Sequence, residues 1–144
     1  MIKIENLEDI KKAFKKLDDI AQIQAIKKLS DGTYKRALNY ISSNHFITGR
    51  LFKSIFREKI DEKSFKIGTY LDKAPYALFV HFGTKAHIIK PKDKTFLRWV
   101  KNDKFIFAKK ARHPGYKGDE FLIKIVNDEM KIFKRWLDKK VGEL

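Results

Sequence analysis

The stretch from Ile47 to Thr84 constrains the fold of this chain most, because it combines helical and strand periodicity between clear breaks. At its start, Leu51 and Ile55 are spaced i, i+4, so a helical turn capped by Thr48 would place both on the core. At its centre, residues 64–70 alternate apolar and polar, which is the period of a half-buried strand. At its end, an aromatic apolar run stops at a Gly-Thr pair suited to a tight turn. We therefore expect helices packed against strands.

Long amphipathic patterns flank this stretch on both sides. Residues 5–29 predict a helix with Asn6 as N-cap. Residues 30–32, Ser-Asp-Gly, either separate this helix from a second one or kink one long helix. A last helix is predicted over about residues 120–140, with Asp119 as its cap. The predicted inward positions are Leu7, Ile10, Phe14, Leu17, Ala21 and Ala25 in the first helix, and Leu122, Ile125, Val126, Glu129 or Met130, Phe133 and Leu137 in the last.

Short extended segments occupy the middle of the chain. Residues 57–60 and 64–71, joined by a polar link, predict an antiparallel hairpin. Residues 76–82 fit either a strand or a short helix, and residues 109–118 read as a basic loop that contains glycine and proline. Further strands are predicted at residues 86–90, 95–100 and 104–109.

This order of elements predicts an α+β fold, with N-terminal helices and a C-terminal helix packed on a mainly antiparallel β-sheet. The chain of 144 residues suits a single domain, 1–144. Its core is predicted to contain Leu51, Ile55, Phe65, Ile67, Val80, Leu97, Ile125 and Phe133.

The charge balance limits the choice of partner. The chain has 33 Lys and Arg against 18 Asp and Glu, a formal net charge of +15. Nucleic acid, an anionic membrane or an acidic protein would complement such a charge, although much of it can equally lie on solvated faces. Because no apolar run approaches the roughly 20 residues of a membrane helix, and no secretory signal is evident, we expect no membrane partner.

The residues that carry chemistry predict no enzyme. The chain has no cysteine, which excludes thiolate catalysis and Cys-ligated zinc. His81 and His87 flank the Gly-Thr turn and could approach each other, but no third ligand is nearby. Ser54 lacks the surroundings of a nucleophile elbow, and the glycines form no phosphate-binding loop. We therefore expect neither catalysis nor a bound metal or cofactor.

Cations and aromatic residues are interleaved between Lys85 and Tyr116. Exposed aromatics beside such cations would suit stacking with single-stranded nucleic acid. The interpretation we favour is that the aromatics alternate inward and form core, leaving the lysines outside. The aromatic residues concerned are Phe96, Trp99, Phe105 and Phe107.

Six short motifs in a fixed order carry a family resemblance. They are T-G-R-L-x-x-S-I from Thr48, Y-A-x-x-V-x-F-G-T from Tyr76, then His87–Lys92, Phe96–Trp99 with Arg112–Gly115, and Phe121-Leu122. The chain resembles the head–tail connector, or tail-completion, family of long-tailed phages, the gene-ten-product-like minor tail component of lambdoid phages and prophages. It departs from that family at His81, where an acidic residue is usual, and in lacking the usual proline before Phe121-Leu122. The family-motif residues are Thr48, Gly49, Leu51, Ser54, Ile55, Tyr76, Ala77, Phe82, Gly83 and Thr84.

The resemblance implies a non-enzymatic virion protein, present in the host cytoplasm before assembly. It would act in neck or tail completion, as a ring subunit that binds copies of itself and phage neck and tail proteins. DNA would pass through the ring without its sequence being read. The alternative is a small basic nucleic-acid-binding protein of a mobile element. The two loops, residues 83–94 and 109–118, are the expected contact arms, with contacts from Thr84, Lys85, His87, Lys92, Arg112, His113, Tyr116 and Lys117.

Overall fold

The computed structural model describes residue 4 and residues 6–144, which form an α+β fold of helices and antiparallel strands. The predicted fold class is confirmed. The predicted start of the first helix at residue 5 lies outside the described residues. The elements in chain order are α1 (Leu7–Phe14), α2 (Asp19–Asn44), α3 (Arg50–Ser54), β1 (Ile55–Asp61), β2 (Ser64–Thr69), α4 (Ala77–Phe82), β3 (His87–Ile89), β4 (Leu97–Lys101), β5 (Lys104–Ala108), β6 (Ala111–His113) and α5 (Phe121–Gly142).

The chain divides into two compact units. We call Leu78–Asp119 the ribbon unit, and Met1–Ala77 with Glu120–Leu144 the helical unit. The prediction of a single domain, 1–144, stays a prediction, since two compact units can fold cooperatively. None of the helices formed by the described residues is long and apolar enough to cross a membrane.

The first helical break lies earlier than predicted. α1 ends at Phe14, and α2 begins after Asp18, whose carboxylate accepts a hydrogen bond from the Ala21 backbone N–H at 2.8 Å. This is the side-chain capping that favours aspartate at a helix start. Asn6 is the N-cap residue of α1 as predicted, but it has left-handed backbone and makes no side-chain cap hydrogen bond.

α2 then continues through Gly32, so a break at residues 30–32 is also wrong. A Cβ at Gly32 would collide with the carboxylate of Glu129 on α5. Glu129 in turn accepts a hydrogen bond from the Arg36 guanidinium at 3.0 Å. The glycine therefore serves close packing of the two helices around a largely buried ion pair.

The helical core lies between α1, α2 and α5. It contains apolar side chains spaced as predicted on α5, and Glu129 is also buried there. The N-cap position of α5 is Glu120, one residue after the predicted Asp119; Glu120 has left-handed backbone and makes no side-chain cap hydrogen bond. The members of this core are Ile10, Leu17, Ala25, Met130, Phe133 and Leu137.

The opening motif of the central stretch forms a helix followed directly by a strand. Gly49, with φ of 72°, is the N-cap of α3, so the predicted Thr48 cap is wrong. Leu51 and Ile55 are both buried as predicted, but Ile55 is the first residue of β1 and not part of the same helix. The Ser54 hydroxyl is buried and donates to the Leu51 carbonyl at 2.7 Å, a structural role.

The predicted hairpin of β1 and β2 is confirmed and contacts α2. Arg57 ties the hairpin to that helix. Its guanidinium donates to Ser30 Oγ at 3.0 Å, lies 3.0 Å from Asp31, and stacks over the Phe65 ring. The strands pair antiparallel as predicted, but the named strands of the described chain form three two-stranded sheets and not one: β1–β2, β3–β6 and β4–β5.

The core prediction is confirmed in part. Leu51, Ile55, Ile125 and Phe133 are buried. The other four predicted core residues are only half-buried: three lie in two-stranded ribbons, which are not covered on both faces, and Val80 lies in the short helix α4. These four are Phe65, Ile67, Val80 and Leu97.

Candidate assembly surface

Two close backbone approaches organise the ribbon unit. The segment that fitted either a helix or a strand is helical, as α4. Directly after it, Gly83 lies against the backbone of Tyr116 and Gly118, and both glycines have φ near 80°. A side chain at either position would clash with backbone and also strain the left-handed conformation. The glycine of the family motif therefore joins the start of one predicted arm to the end of the other.

The two predicted contact arms pair with each other. Thr84 and Tyr116 exchange two backbone hydrogen bonds, of 2.7 and 2.9 Å. β3 then pairs with β6 in a register that sets His87 opposite His113 and Ile88 opposite Arg112. The expectation that residues 109–118 form a loop is therefore wrong, because β6 lies within them. Short strands of three residues carry too little pattern for the sequence to reveal.

His87 and His113 stack across this ribbon, with ring centroids 4.9 Å apart. His87 Nδ1 lies 2.8 Å from the Lys85 carbonyl, and the Gly115 N–H donates to His113 Nδ1 at 3.0 Å. A neutral His113 therefore carries its proton on Nε2, which leaves that nitrogen without a lone pair for a metal. His81, which we expected could approach His87, is buried in α4 beside Phe82. The described residues contain no group of three or more His, Cys, Asp or Glu able to hold a metal.

Most of the predicted contact residues meet on this ribbon. Arg112 and His87 lie within the strands, and Lys85 and Lys117 flank them as exposed cations next to the Thr84–Tyr116 bridge. Lys92 is the exception, because it lies in the irregular connection between β3 and β4. The structure thus brings together Thr84, Lys85, His87, Arg112, His113, Tyr116 and Lys117.

The family-motif residues divide into three groups by burial. The buried ones set the backbone and the core: they are Gly49, Leu51, Ser54, Ile55 and Ala77. Gly83 is half-buried at the backbone crossing, and Thr84 is half-buried beside it, with a hydroxyl oxygen that has no hydrogen-bond partner among the described residues. The exposed ones are Thr48, Tyr76 and Phe82. Most of the motif therefore has a structural role.

The β4–β5 hairpin has two different faces. Its turn residues, Asn102 and Asp103, both have positive φ, as tight hairpin turns with a matching twist require. The register pairs Leu97 with Ala108 and Trp99 with Ile106 on one face. The other face, which we call the aromatic face, pairs Arg98 with Phe107 and Val100 with Phe105.

The aromatic face is open to solvent. Val100 is 59% exposed, Phe105 60% and Phe107 62%. The Arg98 guanidinium lies 4.7 Å from the centre of the Phe105 ring. The interpretation that the aromatics of this region point inward is therefore wrong: Phe96 and Trp99 are exposed too. Period-two alternation marks two faces, but the sequence cannot tell which of two apolar faces is covered.

The ribbon unit has no apolar core of its own. Among the described residues, every fully buried apolar side chain lies in the helical unit, and His81 is the buried residue of the ribbon unit. The ribbon unit also has eleven Lys and Arg against three Asp and Glu, a net charge of +8 out of the chain's +15. The ribbon unit is therefore basic and exposes apolar side chains, and its described residues form no buried apolar core.

The helical unit also contains a groove of about 490 Å³ between α2 and α5. Its charged groups include Arg36 and Glu129, which pair with each other. Because these two groups pair with each other and hold the helices together, neither is an unpaired acid or base that could act on a substrate.

Comparison of the chain with protein-family models, curated proteins and solved structures finds no match.

Proposed function

We propose that this protein is a structural subunit of a phage or prophage head–tail junction, acting in neck or tail completion as part of a ring around the DNA channel. The proposal starts from the ordered motifs between Thr48 and Phe121-Leu122. It needs no catalytic site and no cofactor. Copies of the same chain and neighbouring neck and tail proteins would be its partners, and the completed virion its location.

One observation carries the proposal: the ribbon unit exposes the apolar side chains that would form its core. An isolated two-stranded hairpin is marginal in water, and monomeric proteins rarely leave contiguous apolar faces uncovered. The open edges of β4 and β5 add unpaired backbone groups. Neighbouring subunits that cover the apolar face and pair with the open strand edges would remove both the exposed apolar area and the unpaired backbone groups. This is expected for a protein that works within an assembly.

The charge of the ribbon unit suits the DNA channel in the same proposal. Cations lining a channel attract phosphates regardless of sequence, and this attraction weakens steeply with salt. Of the contact residues predicted from the sequence, Lys85, Arg112 and Lys117 are exposed cations near the paired arms. They would meet either phosphates or the acidic surface of a neighbour.

The test changes Arg112 and Lys117 together to Glu and measures head–tail joining in extracts that lack the protein. We expect joining to be lost while the melting temperature changes little, because exposed charges contribute only about 0–1 kcal/mol to stability. The matched control changes Arg135 and Lys139 on α5, both exposed, and should join normally. Deleting the gene should yield separate filled heads and free tails. Joined particles without the protein would refute the proposed function.

A second candidate function, binding of single-stranded nucleic acid, is favoured by the aromatic face itself. Phe105 and Phe107 are exposed on one strand beside Arg98, an arrangement that suits base stacking. Fluorescence anisotropy with a labelled oligonucleotide tests it. Binding that falls at least tenfold when both phenylalanines become Leu, which keeps apolar area but removes stacking, would support this function over assembly.

A further inference from the structure

The end of the β4–β5 hairpin needs a partner whose charge opposes its own. Its last pair, Lys101 and Lys104, stand directly opposite each other on the face that also carries Trp99, and the adjacent pair, Val100 and Phe105, belong to the aromatic face. Like charges directly opposite each other destabilise an isolated strand pair. Arg98 adds a third cation on the aromatic face itself. A second hairpin of the same kind would bring cations against cations, so a symmetric hairpin-to-hairpin contact is unfavourable, and an acidic, partly apolar surface is the natural complement.

Such a surface exists in the helical unit of the same chain. Lys63, at the β1–β2 turn, donates to Asp19 at 2.7 Å and to Gln22 at 2.9 Å, which holds the turn beside the start of α2. Asp61 and Glu62 lie exposed in the same turn. Asp18, the cap of α2, lies beside Asp19.

Two exposed isoleucines complete this surface. Ile20, in the first turn of α2, is 71% exposed, and Ile60 is 63% exposed at an irregularity in β1. We call Asp18, Asp19, Ile20, Ile60, Asp61 and Glu62 the acidic corner. Residues 18–24 and 58–63 together have five carboxylates and two lysines, so they sum to −3 in a chain of net charge +15. The Lys63 ammonium also lowers the pKa of Asp19, which keeps that carboxylate ionised.

We propose that the hairpin of β4 and β5 docks end-on, by its Lys101–Lys104 pair and the adjacent Val100–Phe105 pair, on the acidic corner of a neighbouring copy of this chain. Lys101 and Lys104 would meet Asp61 and Glu62, while Val100 and Phe105 would contact Ile20 and Ile60. The inference rests on the proposed function, whose ring needs a heterologous contact between different surfaces of identical subunits. Each copy offers one hairpin and one corner, so the contact propagates from subunit to subunit.

The test exchanges the charges of the two surfaces and measures self-association by sedimentation at low salt. We expect the wild type to associate with rising concentration. K101E/K104E should stay monomeric, and so should D61K/E62K, because each variant sets like charges against each other. A chain with all four changes again has opposite charges on the two surfaces and keeps the wild-type net charge, so it should associate. An equimolar mixture of the two double variants should associate as well.

Controls separate this contact from misfolding and from general charge effects. Each variant should keep the circular dichroism melting curve of the wild type, since all four positions are exposed. Lys15 and Lys16 precede the corner and oppose its charge, so K15E/K16E should tighten association. A folded quadruple variant that remains monomeric would overturn the proposal. So would double variants that associate as the wild type does, or association that disappears on nuclease treatment, which would indicate nucleic acid on the hairpin.

Failure of this inference is distinguishable from failure of the proposed function. If the wild type is monomeric at every concentration and K101E/K104E loses head–tail joining, the hairpin does not bind a second copy of this chain. The proposed function would then stand with a different neck or tail protein on the hairpin. Joining that persists without the gene would remove the proposed function, whatever the self-association result.

Discussion

The two units differ in where their apolar side chains lie. The helical unit buries them between α1, α2 and α5, around Phe133 and Leu137. The ribbon unit leaves them outside, with Phe105 and Phe107 exposed and more than half of the chain's net charge within residues 78–119. The first arrangement is stabilised by burial within one chain, whereas the second leaves apolar side chains exposed. Under the proposed function, the helical unit is the scaffold and the ribbon unit the part that assembles.

The largest expected effect comes from removing one phenylalanine from each unit. Phe133→Ala should lower the free energy of unfolding by about 3–5 kcal/mol, since it removes a fully buried ring. Phe107→Ala, the matched change on an exposed ring, should change it by no more than about 0.5 kcal/mol in the monomer. Urea unfolding followed by circular dichroism measures both. Equal losses would mean that the ribbon unit has a core of its own, contrary to the comparison.

A smaller effect is expected at the glycine that lets α2 and α5 pack closely. Gly32→Ala should destabilise the protein by about 1–3 kcal/mol, because the new methyl group displaces Glu129 and disturbs its pair with Arg36. This reverses the usual gain from alanine in a helix. Gly142→Ala at the end of α5 is the control, since a Cβ there meets nothing within 4 Å. Stabilisation by both changes in thermal melts would contradict the packing described.

The smallest effect concerns the link between α2 and the β1–β2 hairpin. Arg57→Met keeps much of the side-chain volume but removes the contacts to Ser30 and Asp31. We expect a loss of about 1 kcal/mol, because both the arginine and the aspartate are partly solvated. The loss should shrink in high salt if the ion pair carries it. No change in the melting temperature would show that packing of the hairpin on α2 does not depend on Arg57.

These residues also show what the sequence could predict. The hairpin of β1 and β2 and the inward positions of α5 follow from periodicity alone, which is a local property. The sequence could not show why residue 32 is a glycine, because the reason is its contact with the Glu129 carboxylate, which lies far along the chain. The Asp18 cap was readable in principle, but the amphipathic pattern runs across the break and conceals it.

The candidate surface was predicted in part, for a similar reason. Residues near Gly83 and Arg112 were identified as contacts, and the structure pairs the arms that contain them. The aromatic face was missed because Phe105 and Phe107 alternate with Ile106 and Ala108, so both faces of the strand read as apolar. Which face is covered depends on the layers around it, and a pattern of period two contains no information on that.

Hydrogen exchange of the backbone amides tests most directly whether the ribbon unit depends on a partner for its stability. In the dilute monomer, we expect the amides of β4 and β5 to exchange at least a hundredfold faster than those in the buried turns of α5 around Phe133, because only the latter require opening of a core. Under conditions of self-association, or in joined particles, the hairpin amides should slow at least tenfold while α5 is unchanged. Hairpin amides that are already as protected as α5 in the monomer, and that do not slow on assembly, would contradict the account.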